Sequence, residues 1–343
     1  MGQRIPMPIP FGWYCIGYVD ELAVGEVRNV HYFDRDMVLF RTEGGSVGLS
    51  DPFCPHLGAH LGHGGEVVGE SIRCPFHHWS YNTEGFVTDV PYAKQIPPKA
   101  QGKACLKTYP VVEKNQIIWA WYHPQDAEPS YEVKDIPETA DADWTELERF
   151  YWEFDSAPQE IAENGVDAAH FKYIHCADEV PEGETSYQGV ERSSKVFNVR
   201  DWEGADGQAI EIKTTTHITQ YGAGQKWVRN IGIIDAILMV LVTPITEEKV
   251  EFRFAFTFRR YDKDSMEYGV TRQYLEANTT NTGVVADIPV WHNKIHLREP
   301  LLCDGDGPIM QFRKYFSQFY VEGPYGDGEH GGEGDGDKLS LVG

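Results

Sequence analysis

Cys54-Pro-His56 and, after seventeen intervening residues, Cys74-Pro-Phe-His77 decide how this chain is read. Each short segment supplies one thiolate and one imidazole, on loops that can face each other. Pro55 and Pro75 stiffen the two turns through their fixed φ. Gly58, Gly62, Gly64 and Gly65 allow a loop tight enough to bring backbone amides against whatever the donors hold. Zinc takes Cys2His2 sets, but its usual order pairs Cys with Cys and His with His. The mixed halves fit a [2Fe–2S] cluster better, with both cysteines on one iron and both histidines on the other. Two neutral imidazoles in place of thiolates raise the potential of such a cluster. His60, His63 and His78 complete no further loop pair and read as supporting or surface groups.

Outward from these loops, residues 11–122 read as short strands broken by turns. Met37-Val-Leu-Phe40 precedes Glu43-Gly-Gly45, and Ile117-Ile-Trp-Ala-Trp-Tyr122 follows Lys114-Asn115, the pattern of a small β-sandwich. From Pro124 to Asp143 the composition shifts to Pro, Asp, Glu and Ala, which predicts an interdomain connection. Beyond it, Val250, Phe252, Phe254, Phe256 and Phe258 alternate with Glu251, Arg253, Ala255, Thr257 and Arg259, predicting a long strand with one buried aromatic face. That face suits either an apolar cavity or ordinary core. Residues 208–219 carry a weaker form of the pattern, and Ile309, Phe312, Phe316 and Phe319 fall at helical spacing. Long strands with a few helices predict an α+β domain.

That second half holds another donor set, Glu163-Asn-Gly-Val-Asp167-Ala-Ala-His170-Phe-Lys-Tyr-Ile-His175. Two histidines and a distant carboxylate make the facial triad of Fe(II) oxygenases, with positions left open for O2. Five residues apart, the histidines lie about 140° round an ideal helix. A single straight helix therefore cannot aim both at one metal, and the helix is predicted to end or unwind between them.

The 343 residues suffice for about two domains. A formal net charge of −23 repels nucleic acid and anionic lipid and suits a basic protein partner. The longest apolar run, Ala236 to Val242, is far short of the roughly 20 residues of a membrane span. Met1 to Pro10 carries three prolines and no apolar stretch, so it does not read as a signal peptide. Six cysteines without disulfide spacing point to a reducing, cytoplasmic compartment. No Gly-x-Gly-x-x-Gly follows a strand, which implies an external electron donor.

Cys54-Pro-His-Leu-Gly-Ala-His60 through Cys74-Pro-Phe-His-His-Trp79, with Phe11-Gly-Trp-Tyr-Cys-Ile-Gly17, resembles the N-terminal domain of Rieske non-haem iron oxygenases. The resemblance covers nearly all of residues 11–322. It implies a Rieske [2Fe–2S] domain at 11–123, the connection at 124–143 and a helix-grip (START-like) catalytic domain at 144–322. The acidic, Gly-rich tail at 323–343 is expected to be disordered. Cys54, His56, Cys74 and His77 would hold the cluster, and His170, His175 and Asp287 a mononuclear Fe(II). Glu276 and Asp304 are the other candidates for the carboxylate. Asp167 would bridge a cluster histidine of one subunit to an iron histidine of the next in a homotrimer, and Asn164 could support that segment. Electrons would come from an NAD(P)H-dependent reductase or a ferredoxin. Asn164 to His175, Val90-Pro-Tyr-Ala-Lys94 and Tyr315-Phe-Ser-Gln-Phe-Tyr320 are most similar to 3-ketosteroid 9α-hydroxylase oxygenase components and cholesterol 7-desaturases. The absence of an N-terminal membrane segment favours the hydroxylase type. The expected activity is O2-dependent hydroxylation or desaturation of an apolar, steroid-like substrate. An aromatic-ring or methoxy-aromatic oxygenase, and a plain electron carrier, are the alternatives.

Overall fold

The computed structural model describes residues 4–175, 180, 183–203, 209–280 and 283–322. Short apolar runs in the first half become strands β1 (Gly12–Tyr18), β2 (Val27–Tyr32), β3 (Arg35–Arg41), β4 (Val47–Ser50), β5 (Glu66–Val68), β6 (Ser71–Arg73), β7 (Ser80–Asn82), β8 (Val87–Asp89), β9 (Val111–Lys114) and β10 (Ile117–Tyr122). They assemble into three small antiparallel sheets in the orders β1-β10-β9, β2-β3-β4 and β5-β6-β7-β8. The two-residue turns Phe33-Asp34 and Asn115-Gln116 are left-handed at both positions, the conformation that matches hairpin twist. A phenylalanine there is strained. Its turn is held from outside, because the Phe33 and Asp34 N–H groups donate to Pro244 and Ile245 carbonyls at 3.0 and 2.9 Å.

The second half forms β11 (Glu148–Asp155), β12 (Gly183–Gln188), β13 (Glu191–Glu203), β14 (Ala209–Tyr221), β15 (Gln225–Gly232), β16 (Ala236–Pro244) and β17 (Lys249–Phe258). These make one antiparallel sheet in the order β11-β17-β16-β15-β14-β13-β12. Its helices are α1 (Pro158–Glu163), α2 (Ala169–Tyr173), α3 (Met266–Thr279), α4 (Val284–Asn293) and α5 (Ile309–Phe316). Pro158 opens α1, where its missing N–H costs nothing. Ser265 caps α3 by accepting the Tyr268 N–H at 3.1 Å. Ile161, Val270, Leu275 and Trp291 from α1, α3 and α4 cover the face that carries Leu238, Val240, Phe252, Phe254 and Phe256. This is the α+β arrangement expected, and strands β14 (Ala209–Tyr221) and β17 (Lys249–Phe258) and helix α5 (Ile309–Phe316) fall where the patterns place them, residue 208 lying outside the described residues. The expected tail at 323–343 and Cys176 lie outside the described residues.

The alternation in β17 misleads on one point. Its second face does not meet solvent, because Ile237, Met239, Leu241 and Ala255 pack against Trp13, Cys15, Trp119 and Trp121 of β1 and β10. Each large side chain so buried contributes roughly 1.5–3 kcal/mol. Glu251 and Arg253 pair with each other at this interface, and Glu251 also accepts the Tyr32 hydroxyl at 2.9 Å. The stretch 124–143 is irregular apart from one 3-10 turn at Pro137–Ala140, yet it is packed down. Val133 and Ile136 are buried, and Lys134 exchanges backbone hydrogen bonds with the Gln225 amide at 2.9 and 2.7 Å.

Two candidate metal centres

The loops at Cys54 and Cys74 close in the same way. The Cys54 N–H donates to Ala59 O and the Gly58 N–H to Cys54 O, both at 2.8 Å. In the second loop the Cys74 N–H donates to Trp79 O at 2.8 Å and the His78 N–H to Cys74 O at 3.1 Å. The residue four past each cysteine is left-handed, Gly58 at φ +76° and His78 at φ +59°. His78 therefore serves the loop through its backbone, with its side chain outside. His60 and His63 sit together at the surface with ring centres 4.4 Å apart.

Within the loops the four donors gather. Cys54 and Cys74 are unoxidised and buried, and the Tyr81 hydroxyl lies 3.1 Å from Cys54 Sγ. Burial pushes the Cys54 thiol above its ordinary value; the Tyr81 hydroxyl and the His56 N–H pull the other way, and nearby Cys74 adds to the rise. A metal cation is what makes such thiols lose their protons. The His56 and His77 rings meet edge to face at 4.9 Å, and His56 stacks on Trp79 at 4.6 Å. His77 Nδ1 is buried with no hydrogen-bond partner among the described residues. Buried imidazole nitrogens normally find a partner, so an orphan beside two thiols and a second imidazole fits a metal ligand.

The second centre forms where α1 runs into α2. Helix α2 stops at Tyr173, two residues before His175, so the chain turns and the His170 and His175 rings meet at 4.9 Å. Asp287, buried in the first turn of α4, completes the group: one ligand atom from each residue lies within 4.8 Å of the others. His175 Nε2 is 3.3 Å from Asp287 Oδ2. Glu276 and Asp304 are exposed and lie outside this group. His170 Nδ1 bonds the Asp167 carbonyl, which fixes the tautomer and leaves Nε2 for a metal. Burial lowers the His170 pKa against the opposing charge of Asp287, which keeps the ring neutral as ligation requires. The Asp167 carboxylate accepts the His170 N–H at 3.2 Å and remains partly exposed.

Of what supports this centre, the sequence singled out Asn164 but not the buried ion pairs. Glu163 grips Arg313 of α5 with both oxygens, at 2.7 and 3.0 Å. Glu160, fully buried, meets His296 Nδ1 at 2.5 Å and Lys294 Nζ at 2.6 Å. Burial alone would raise the Glu160 carboxyl, but these two partners hold it below its ordinary value. Asn164 Oδ1 accepts the Trp291 indole N–H at 3.2 Å, tying α1 to α4. A cavity opens beside α1, lined by Pro158, Ile161 and Ala162 and by Gln220, Lys226 and Val240 of the sheet. Phe252, Phe254 and Phe256 lie instead in the core under the helices. Among the described residues, no helix is long and apolar enough to cross a membrane.

Two family models match the chain: the Rieske [2Fe-2S] domain over residues 12–110, and the 3-ketosteroid 9alpha-hydroxylase C-terminal domain over residues 120–320. The oxygenase component of 3-ketosteroid-9-alpha-monooxygenase from Rhodococcus rhodochrous is 30% identical, over 91% of this chain and 81% of its own length. Cholesterol 7-desaturase of Caenorhabditis elegans is also 30% identical, over 93% of this chain and 78% of that protein. The crystal structure of dicamba monooxygenase bound to dicamba superposes with a TM-score of 0.67 at 18% identity, covering 90% of this chain and 96% of that one. That likeness speaks for the fold. Two adjoining models that together span residues 12–320, in the order the donor loops and the histidine–aspartate group require, make this chain a Rieske oxygenase of the 3-ketosteroid 9α-hydroxylase family.

Proposed function

We propose that the chain is the terminal oxygenase of a multicomponent system that hydroxylates or desaturates a steroid-like, apolar substrate. Cys54, His56, Cys74 and His77 hold the [2Fe–2S] cluster, and His170, His175 and Asp287 hold the catalytic iron. The observation that carries this reading is the convergence of two imidazoles and one buried carboxylate in a chain that also bears paired Cys-His loops. When bound, the cluster supplies single electrons and the iron supplies O2 activation against a substrate C–H bond. The protein's own work is positional. Asp167 fixes the His170 ring, and α1 and α4 fix Asp287 against the two imidazoles.

The partly exposed Asp167 carboxylate is free to meet a cluster histidine of a second subunit, which favours a homotrimer that shares electrons between chains. Phe53, Leu57, Phe76 and Tyr92 stand exposed around the cluster loops and suit docking of a reductase or ferredoxin. The free cysteines agree with a reducing, cytoplasmic setting. Two measurements test the reading. Iron analysis of anaerobically reconstituted protein should give about three irons per chain, where an electron carrier gives two. Incubation with a steroid panel, NADH and a surrogate reductase should yield a product carrying oxygen from O2 or a new double bond. Two irons per chain, or turnover of methoxy-aromatics alone, would remove the steroid oxygenase assignment.

A further inference from the structure

The charge of this chain is not spread evenly. Residues 52–107, which contain both cluster loops, contribute none of the net −23: five basic side chains stand there against four acidic ones. From Val90 to Val112 there are four lysines and no acidic residue. Lys107 pairs with Asp126 at 2.7 Å. Lys94, Lys99 and Lys103 are exposed, and their ammonium groups make no hydrogen bond or ion pair among the described residues. Salt screens exposed charges beyond a Debye length of about 8–10 Å, so a partner responds to the charges it touches rather than to the total. The expectation of a basic partner, drawn from the net charge, is therefore reversed at this loop.

The loop that carries these lysines is built onto the cluster site. Val90, Ala100 and Leu106 are buried in one core with Cys54, Cys74 and Tyr81, and Ile96 packs against it. Local bonds hold the stretch between. The Ala93 N–H donates to Val90 O at 3.0 Å, the Ala100 N–H to Pro97 O at 2.8 Å and the Gln101 side-chain amide to Ile96 O at 2.8 Å. At the start of the loop, the exposed Tyr92 accepts the Trp79 indole N–H on its hydroxyl at 2.8 Å. Trp79 lies flat on the His56 ring, 4.6 Å away and 12° from parallel, and the Tyr92 ring is 6.3 Å from that of His77. A partner that covers Tyr92 thus reaches both histidines of the cluster loops through one or two aromatic contacts.

We propose that Lys94, Lys99 and Lys103 form the docking rim for a small acidic one-electron carrier protein, with Tyr92 and Trp79 as the point where the electron enters. Carboxylates of the carrier face the three ammonium groups, and its apolar contact surface covers Tyr92. Exposed charges of this kind steer the encounter and act on the rate of association more than on affinity. Lysine is depleted at the core of lasting interfaces, so the rim suits a transient partner better than a permanent contact with a second copy of this chain. The transfer moves one electron: the reduced centre of the carrier is oxidised, one iron of the cluster is reduced, and no bond is made or broken. Tyr92 and Trp79 are positioning residues, a packed path that is not itself oxidised. This inference rests on the cluster placed above at Cys54, His56, Cys74 and His77, and names the partner of that site.

The probe is an acidic plant-type [2Fe–2S] ferredoxin, used with the cluster-loaded enzyme. Stopped-flow reduction by reduced ferredoxin gives a second-order rate constant, and titration with oxidised ferredoxin gives a dissociation constant that involves no turnover. The rate constant should fall at least about tenfold between about 0.01 and 0.3 M salt, with binding weakening in step. The triple variant Lys94→Glu, Lys99→Glu, Lys103→Glu should lose at least about tenfold in rate at low salt, bind ferredoxin more weakly and lose the salt dependence. The methyl viologen radical cation, which the parent rim repels, should reduce the variant at least as fast as the parent. Tyr92→Ala should slow transfer at saturating ferredoxin without moving the reduction potential of the cluster, which a merely structural role would shift. A rate indifferent to salt, a triple variant reduced as fast as the parent, or unchanged transfer in Tyr92→Ala would overturn the dock. So would a triple variant of smaller assembly mass in sedimentation, which assigns the loop to a second copy. The two readings fail differently. Reconstituted protein without a visible cluster spectrum sinks the cluster assignment, whereas a cluster that ferredoxin reduces without regard to the lysines sinks the dock alone.

Discussion

The cluster loops and the iron segment hold their donors by opposite means. Around Cys54 and Cys74 the backbone closes on itself through short N–H to carbonyl bonds, and the four donors come from 24 consecutive residues. Around His170 the helix gives way, the carboxylate of the proposed iron site arrives from α4, and α1 is clamped by buried charges from the C-terminal segment. A site closed by backbone tolerates changes in its side-chain surroundings. A site held by paired buried charges depends on residues far from its chemistry, because removing one partner strands the other.

The sharpest way to break this contrast is to delete one donor from each site. His170→Ala should cut product formation by more than about a hundredfold, beyond the loss typical of outer-shell partners, while leaving the visible spectrum of the cluster intact. His56→Ala should bleach that spectrum as well as stop turnover. Bleaching by His170→Ala would mean that the two centres are not independently held. A remote clamp comes next. Glu163→Ala leaves the buried Arg313 guanidinium without its carboxylate and should cost about 3–5 kcal/mol in denaturant unfolding. Iron content should fall in the folded fraction of that variant while the cluster absorbance per chain stays constant. Unchanged iron occupancy would show that α1 does not depend on this clamp. The smallest effects belong to the paired loops. Gly58→Ala meets no neighbouring atom, so its cost is left-handed strain alone, about 1–2 kcal/mol. His78→Gly relieves the same strain but loosens the unfolded chain, and should end within about 1 kcal/mol of the parent protein. Thermal unfolding of both variants measures the difference.

That contrast also explains what the sequence disclosed. The proposed cluster donors stand out in the sequence because each pair lies within four residues and the spacing carries the chemistry. The break in α2 followed from helix geometry, and the strand at 250–258 and the helix at 309–316 from their periods. Other features depend on partners that no local window contains. Glu251 and Arg253 read as a solvent face because Tyr32 and the β1–β10 tryptophans that cover it are over a hundred residues away. Asp287 looks like any acid in a helix until α4 is seen to start beside His175.

Strand β16 has no outer side: one face meets the helices, and the other meets tryptophans contributed by β1 and β10 of the first half. The two halves are therefore welded rather than hinged, with the packed stretch before Trp144 acting as a second seam. Electron delivery in such a frame cannot rely on a tethered carrier that swings between donor and acceptor, as a loosely linked cluster domain would. Any breathing needed to admit a bulky ligand falls to the short helices above the sheet, and a fragment cut between the halves would bare Trp13, Trp119 and Trp121 to water.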